Sequence, residues 1–128
     1  MAMTPMDPEE WLPLTPAVFH VLLALAGGER HGYAIMQEVA RHSDGRIKMG
    51  PGTLYGTIKR LLEIKLIEES DERPDPARDD ERRRYYRLTG LGQRVLKAEA
   101  GRYEDMVKLA RGKRLIGKLA RLGWAGGL

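Results

Sequence analysis

The 128-residue sequence has no cysteine, which excludes disulfides, thiolate metal sites and cysteine nucleophiles together. Serine occurs only at Ser43 and Ser70, and histidine only at His20, His31 and His42. The three histidines have no metal-ligand spacing and no thiolate to complete a site. Apolar runs are short. The longest, over residues 17–28, is interrupted by His20, well below the roughly 18 residues that a membrane helix needs. Basic residues are missing from the first ten positions, which instead carry Asp7, Glu9 and Glu10; a secretory leader is therefore not expected, and a cytoplasmic protein is. There is no glycine loop with a phosphate-binding lysine, no nucleophile elbow, and no histidine paired with an acid in a catalytic motif. Neither an enzyme, a cofactor nor a metal is expected.

What is present is charge and helical periodicity. Lysine and arginine exceed aspartate and glutamate by 22 to 18, a balance that suits a polyanionic partner without requiring one. The excess is concentrated late: residues 94–121 hold nine basic residues against Glu99, Glu104 and Asp105. A solvated helix face would read the same way. After an irregular lead-in over 1–13, containing Trp11 and three prolines, Thr15 and Pro16 form an N-cap and first-turn signal. The helix they start runs to Gly27 and Gly28, apolar nearly all round and so buried. A second helix spans roughly 31–42 with Ile35, Met36 and Val39 at core spacing, and His31 caps or borders it.

A third helix starts at Gly50 and Pro51. Leu54, Ile58, Leu61 and Leu62 share one face, while Thr53, Gly56, Lys59 and Arg60 lie on or near the other. Strands are expected over 66–70 and 85–88, joined by a charged loop that contains Pro74, Pro76 and Arg82, Arg83 and Arg84. Thr89 then caps a long helix over 89–122, and 123–128 form a flexible tail around Trp124. The long helix carries an apolar stripe, Leu96, Tyr103, Met106, Val107 and Ala110, with nothing else in the chain to cover it. A homodimer through that stripe is expected.

Three helices followed by a hairpin is the order of a winged helix-turn-helix over 14–88, mostly α with a small β-wing, in which the third helix enters a DNA major groove. The chemistry fits. Thr53 and Tyr55 offer hydroxyls for base edges, Lys59 and Arg60 suit phosphates or guanine, and Arg82 to Arg84 suit backbone or minor groove near the wing. Each also has a plain structural counterpart: Tyr33 and Tyr55 as half-buried core residues, the cations as a solvated surface. A winged-helix protein-interaction module without DNA binding is the competing class, and the basic third-helix face speaks against it.

The segments His31-Gly32-Tyr33, Pro51-Gly52-Thr53-Leu54-Tyr55 with Lys59-Arg60-Leu61, and Arg84-Tyr85-Tyr86-Arg87-Leu88-Thr89 resemble the PadR family of regulators in order and spacing, over residues 14–92. The resemblance implies a DNA-binding repressor that dimerises through its C-terminal helix and is released by a small-molecule effector. Tyr33 is a further candidate for the DNA-facing set. The single C-terminal helix resembles the smaller subfamily. Effectors in that family lie between the domain and the dimer helices, which makes Trp11, Tyr103, Met106 and Trp124 candidates; dimer packing explains the same residues. Two departures stand out. Lys65 replaces a usual glycine, so the end of the third helix is expected to differ in shape, and Asp79, Asp80 and Glu81 precede the wing arginines, where they would oppose phosphates or pair with the arginines.

Overall fold

The first helix, α1 (Pro16–Ala26), begins where the Thr15 side chain accepts a hydrogen bond from the Val18 N–H at 3.2 Å. Pro16 occupies the first turn, where its missing N–H costs nothing. Val21, Leu22, Ala24 and Leu25 are buried. The computed structural model describes residues 7–75 and 78–117, and side chains throughout these except over 72–82. Two residues, Arg30–His31, then form β1 before α2 (Gly32–His42). His31 caps α2 as expected, its Nδ1 accepting from the Ala34 N–H at 3.2 Å. α3 (Pro51–Glu63) buries Leu54, Thr57, Ile58 and Leu61. These side chains join those of α1, Ile35 and Val39 of α2, and Leu66, Ile67 and Tyr86 in one apolar core.

The end of α3 retains the shape that a glycine would give. Lys65 has φ of +67°; its N–H bonds to the Leu62 carbonyl and the Leu66 N–H to the Leu61 carbonyl, the reciprocal pair of a Schellman end. Leu61 and Leu66 are both buried and close the motif with apolar contact. A lysine in the left-handed region is strained by its Cβ, at about 1 kcal/mol. Lys65→Gly is therefore expected to raise stability by about 0.5–1 kcal/mol despite glycine's greater unfolded-state entropy, read as a higher urea midpoint with an unchanged slope.

The hairpin is longer than the sequence suggested. β2 (Ile67–Asp75) and β3 (Arg78–Leu88) pair antiparallel, and β3 is central in the order β1-β3-β2. Arg82, Arg83 and Arg84 thus lie in a strand and not in a loop. Charged residues are poor strand formers alone, but at the root of the hairpin the register sets Glu68 against Arg87, where opposite charges stabilise a sheet. The register shifts between Glu69 and Glu72.

α4 (Gly90–Gly112) is capped by Thr89, whose hydroxyl oxygen accepts from the Gly92 N–H at 2.9 Å. The same hydroxyl donates to the Lys65 carbonyl at 2.7 Å, and the Thr89 N–H donates to the Leu66 carbonyl at 3.1 Å. The helix ends at Gly112, short of the expected position near 122. Gly112 weakens the last turn, Arg114 takes φ of +62°, and the Leu115 N–H closes on the Ala110 carbonyl. Arg111, Lys113 and Arg114 also put cations at the negative end of the helix dipole. The expected tail over 123–128, with Trp124, lies outside the described residues. Among the described residues no helix is long and apolar enough to cross a membrane.

Among the described residues of the lead-in, from Asp7 on, the chain is not irregular throughout as expected. Pro8–Trp11 form a 3-10 turn against α4. Glu99, fully buried on α4, accepts the Leu14 N–H at 2.8 Å and pairs with Arg102. The Arg102 guanidinium, assisted by the Leu14 N–H, holds the Glu99 carboxyl below its ordinary range against the opposing effect of burial. The carboxylate thus anchors the segment that leads into α1.

Candidate nucleic-acid interface

The solvent face of α3 is built from residues that the core leaves outside. Leu54, Ile58 and Leu61 point inward, and the helical period then turns Thr53, Gly56 and Arg60 outward, with Lys59 beside them. All four are exposed. Neither Lys59 nor Arg60 has a carboxylate partner among the described residues. A Cβ on Gly56 would meet nothing within 4 Å, so no packing inside the chain requires glycine at this mid-helix position, where it costs about 1 kcal/mol relative to alanine. Thr57, by contrast, is buried, and its hydroxyl donates to the Thr53 carbonyl at 2.9 Å.

Tyr55 is 46% exposed, but its ring lies across the start of α2. A Cβ on Gly32 would sit 2.4 Å from the Tyr55 hydroxyl oxygen. Gly32 therefore makes room for Tyr55, which braces α3 against α2 and is less free to reach a base edge than Thr53. Sequence reasoning saw both residues without the contact between them. Tyr33, next along α2, faces the wing: the Arg83 guanidinium carbon lies 5.9 Å from its ring centroid, within the range of a cation–π contact.

The wing arginines differ in their partners. Arg84 pairs with Glu69 at 3.9 Å and Arg87 with Glu68 at 2.8 Å, so β2 supplies carboxylates to this strand. The Arg82 side chain and those of Asp79, Asp80 and Glu81 lie outside the described ones. Burial and the neighbouring Glu69 raise the Tyr86 phenol above its usual range.

The α4 stripe divides in two. Leu96 is 7% exposed and belongs to the core of its own chain, which removes it from the set available for dimer contact. Tyr103 meets Phe19 of α1 with ring centroids 4.9 Å apart. Met106 and Val107 remain 47% and 40% exposed, and Ala110 is half-buried. Leu109 and Leu115, outside the expected stripe, are exposed as well. The larger cavity, of about 510 Å³, lies between the end of α1, the root of β3 and α4, and is lined by Leu96 but by none of Trp11, Tyr103 and Met106. Trp11 lines a smaller one of about 170 Å³ beside Arg60 of α3 and Ile64, which follows that helix.

A helix-turn-helix whose third helix is polar and basic outward, followed by a hairpin that returns to a short strand ahead of the second helix, is a winged helix-turn-helix. Comparison with known proteins refines this class. The model of the transcriptional regulator PadR-like family matches residues 21–98, more than half of the chain. An uncharacterized 37.1 kDa protein of a Streptomyces fradiae transposon is 39% identical over 80 residues, 62% of this chain and 21% of that protein. The match thus spans about a fifth of that relative's length. Among solved structures, a PadR family transcriptional regulator from Eggerthella lenta is similar with a TM-score of 0.56 at 26% identity, covering 78% of this chain and 84% of its own. A Bacillus subtilis PadR in complex with operator DNA shares the fold with a TM-score of 0.56 at 19% identity, covering 66% and 46%. The chain belongs to the PadR-like family of transcriptional regulators.

Proposed function

We propose that this regulator binds an inverted-repeat operator as a homodimer, with α3 in the major groove, and represses transcription until a small effector releases it. The observation that carries the reading is the outer face of α3, where Thr53, Gly56, Lys59 and Arg60 are exposed and the two cations have no carboxylate partner among the described residues. Gly56 there lets a helix approach a groove closely, and the B. subtilis relative was solved with operator DNA. Arg83 beside Tyr33 extends the surface toward the wing, to which Arg82 and Arg84 contribute in the same reading. The exposed part of the α4 stripe supports the dimer, because a single apolar patch that meets its own copy gives two-fold symmetry. Half-sites then lie about 34–36 Å apart, or a multiple of that.

Titration of promoter DNA adjoining the chain's own gene, and of a scrambled duplex, at several salt concentrations tests this. Lys59→Ala and Arg60→Ala are each expected to lower the salt slope by about 0.9 per lost phosphate contact on each subunit, on both duplexes. Thr53→Ala is expected to cost about 1–3 kcal/mol on the promoter site and little on the scrambled one. If combined alanines at Lys59, Arg60 and Arg83 left both affinities unchanged in a folded protein, a protein-interaction module would be the better reading.

A further inference from the structure

The segment between α2 and α3 carries two cations that belong to neither the α3 surface nor the wing. Along α2, Arg30, Arg41 and the His42 ring gather on the Glu38 carboxylate at 3.6, 2.7 and 3.3 Å, so the charge there is matched. Arg46 and Lys48, just beyond, make no hydrogen bond or ion pair among the described residues through their side chains. Asp44, the acid nearest to them in sequence, pairs with neither. Both cations are exposed, whereas Ile47 and Met49 pack inward. That alternation is the period of an extended chain, and it sets Arg46 and Lys48 on one side.

The segment is held in place by the chain itself. Asp44 and Gly45 turn it with φ of +53° and +76°, and the Gly45 N–H closes on the Ala40 carbonyl at 2.8 Å. The Ser43 hydroxyl oxygen accepts the Ile47 N–H at 3.0 Å, and Met49 is anchored in the core. The Lys48 Cε lies 3.8 Å from where a Cβ on Gly45 would stand, so its stem rests on the turn. A backbone already ordered loses little freedom on binding. Position then decides what the cations meet. Fully extended, the five steps from Lys48 to Thr53 span at most about 18 Å, and α3 begins within that stretch, which shortens it. The major groove is about 12 Å wide. With Thr53 at base edges, cations just ahead of the first turn stand over the phosphates that border the groove.

We propose that Arg46 and Lys48 form a separate backbone clamp, gripping operator phosphates beside the groove that α3 enters and fixing the register of that helix without reading sequence. The proposal rests on the DNA-binding reading above, and adds to it a contact set outside α3 and the wing.

The full chain and an Arg46→Ala, Lys48→Ala variant are titrated with the promoter and scrambled duplexes between about 50 and 200 mM salt. Loss of two phosphate contacts on each subunit of the dimer should lower the salt slope by about 3.6 on both duplexes. Over that range the wild-type chain then loses about a hundredfold more affinity than the variant. The ratio of promoter to scrambled affinity should stay within about twofold, unlike that of Thr53→Ala. Arg46→Lys with Lys48→Arg keeps both charges and should restore the slope, a recovery that a merely structural role would not give. An unchanged slope in the folded alanine variant, beside a Lys59→Ala chain whose slope does fall, overturns the clamp and leaves the α3 reading intact. So does a slope that the charge-keeping pair fails to restore, or a ratio that falls as far as in Thr53→Ala. A chain whose slope neither Lys59→Ala nor the loop variant changes, or that binds no DNA, overturns the DNA-binding reading and the clamp together.

Discussion

Gly92→Ala is expected to destabilise the protein by about 3 kcal/mol, the upper part of the usual range for overpacking, and to lower the melting temperature on the order of 10 °C. A Cβ at Gly92 would stand 1.9 Å from the Leu66 carbonyl oxygen and 3.0 Å from its carbon. These are backbone atoms, so no rotamer change relieves the clash. The oxygen is also held in place, because it accepts the Thr89 N–H at 3.1 Å. The first turn of α4 must therefore move off the start of β2. Gly101→Ala is the internal control: a Cβ there meets nothing within 4 Å, and the change should stabilise the same helix by about 1 kcal/mol. Thermal melts of the two variants that moved together would show that the close approach at Gly92 has no energetic weight.

The second large effect concerns assembly. Met106→Asp with Val107→Asp places two charges on the exposed part of the stripe, and should convert a dimer to monomers or insoluble chains. Neither residue belongs to the chain's own core, so secondary structure and melting of a soluble monomer should be nearly retained. Operator affinity should fall by orders of magnitude, since both half-sites no longer engage at one effective concentration. Light scattering that showed an unchanged dimer would remove this stretch of α4 from the interface.

Helix starts were legible because each has a chemical signal at a definite place: Thr15 with Pro16, His31, Gly50 with Pro51, and Thr89. The core faces of α2 and α3 follow from their periodicity, whereas α1 is apolar nearly all round and shows only that it is buried. Strand lengths were not legible. Residues 71–84 read as a loop by composition, whereas their pairing depends on the register with the partner strand, which one strand does not display. The two residues of β1 are too few for any period. Leu96 and Met106 share one stripe on α4, yet only the fold shows that α1 and the hairpin cover the first and leave the second open. The end of α4 was misplaced because apolar spacing continues beyond Gly112, while the left-handed turn at Arg114 carries no glycine to announce it. At the interface, Thr53, Lys59 and Arg60 could be read from the helical wheel, but the contact of Gly32 with Tyr55 joins residues 23 positions apart.

Thr89 has a further consequence for the operator. One residue ties the end of α3, the start of β2 and the first turn of α4 through three hydrogen bonds, so the long helix leaves the DNA-facing unit as a lever fixed at its base. At 1.5 Å per residue, its 23 residues reach about 34 Å. A rotation of about 5° at the base sweeps the far end by about 3 Å, close to the 3.4 Å spacing of successive base pairs. In the proposed dimer the levers meet at their far ends, and the distance between the two α3 helices becomes a property of the joint at Thr89. In that proposed dimer the number of base pairs between half-sites would be set by a threonine outside the proposed DNA-facing set.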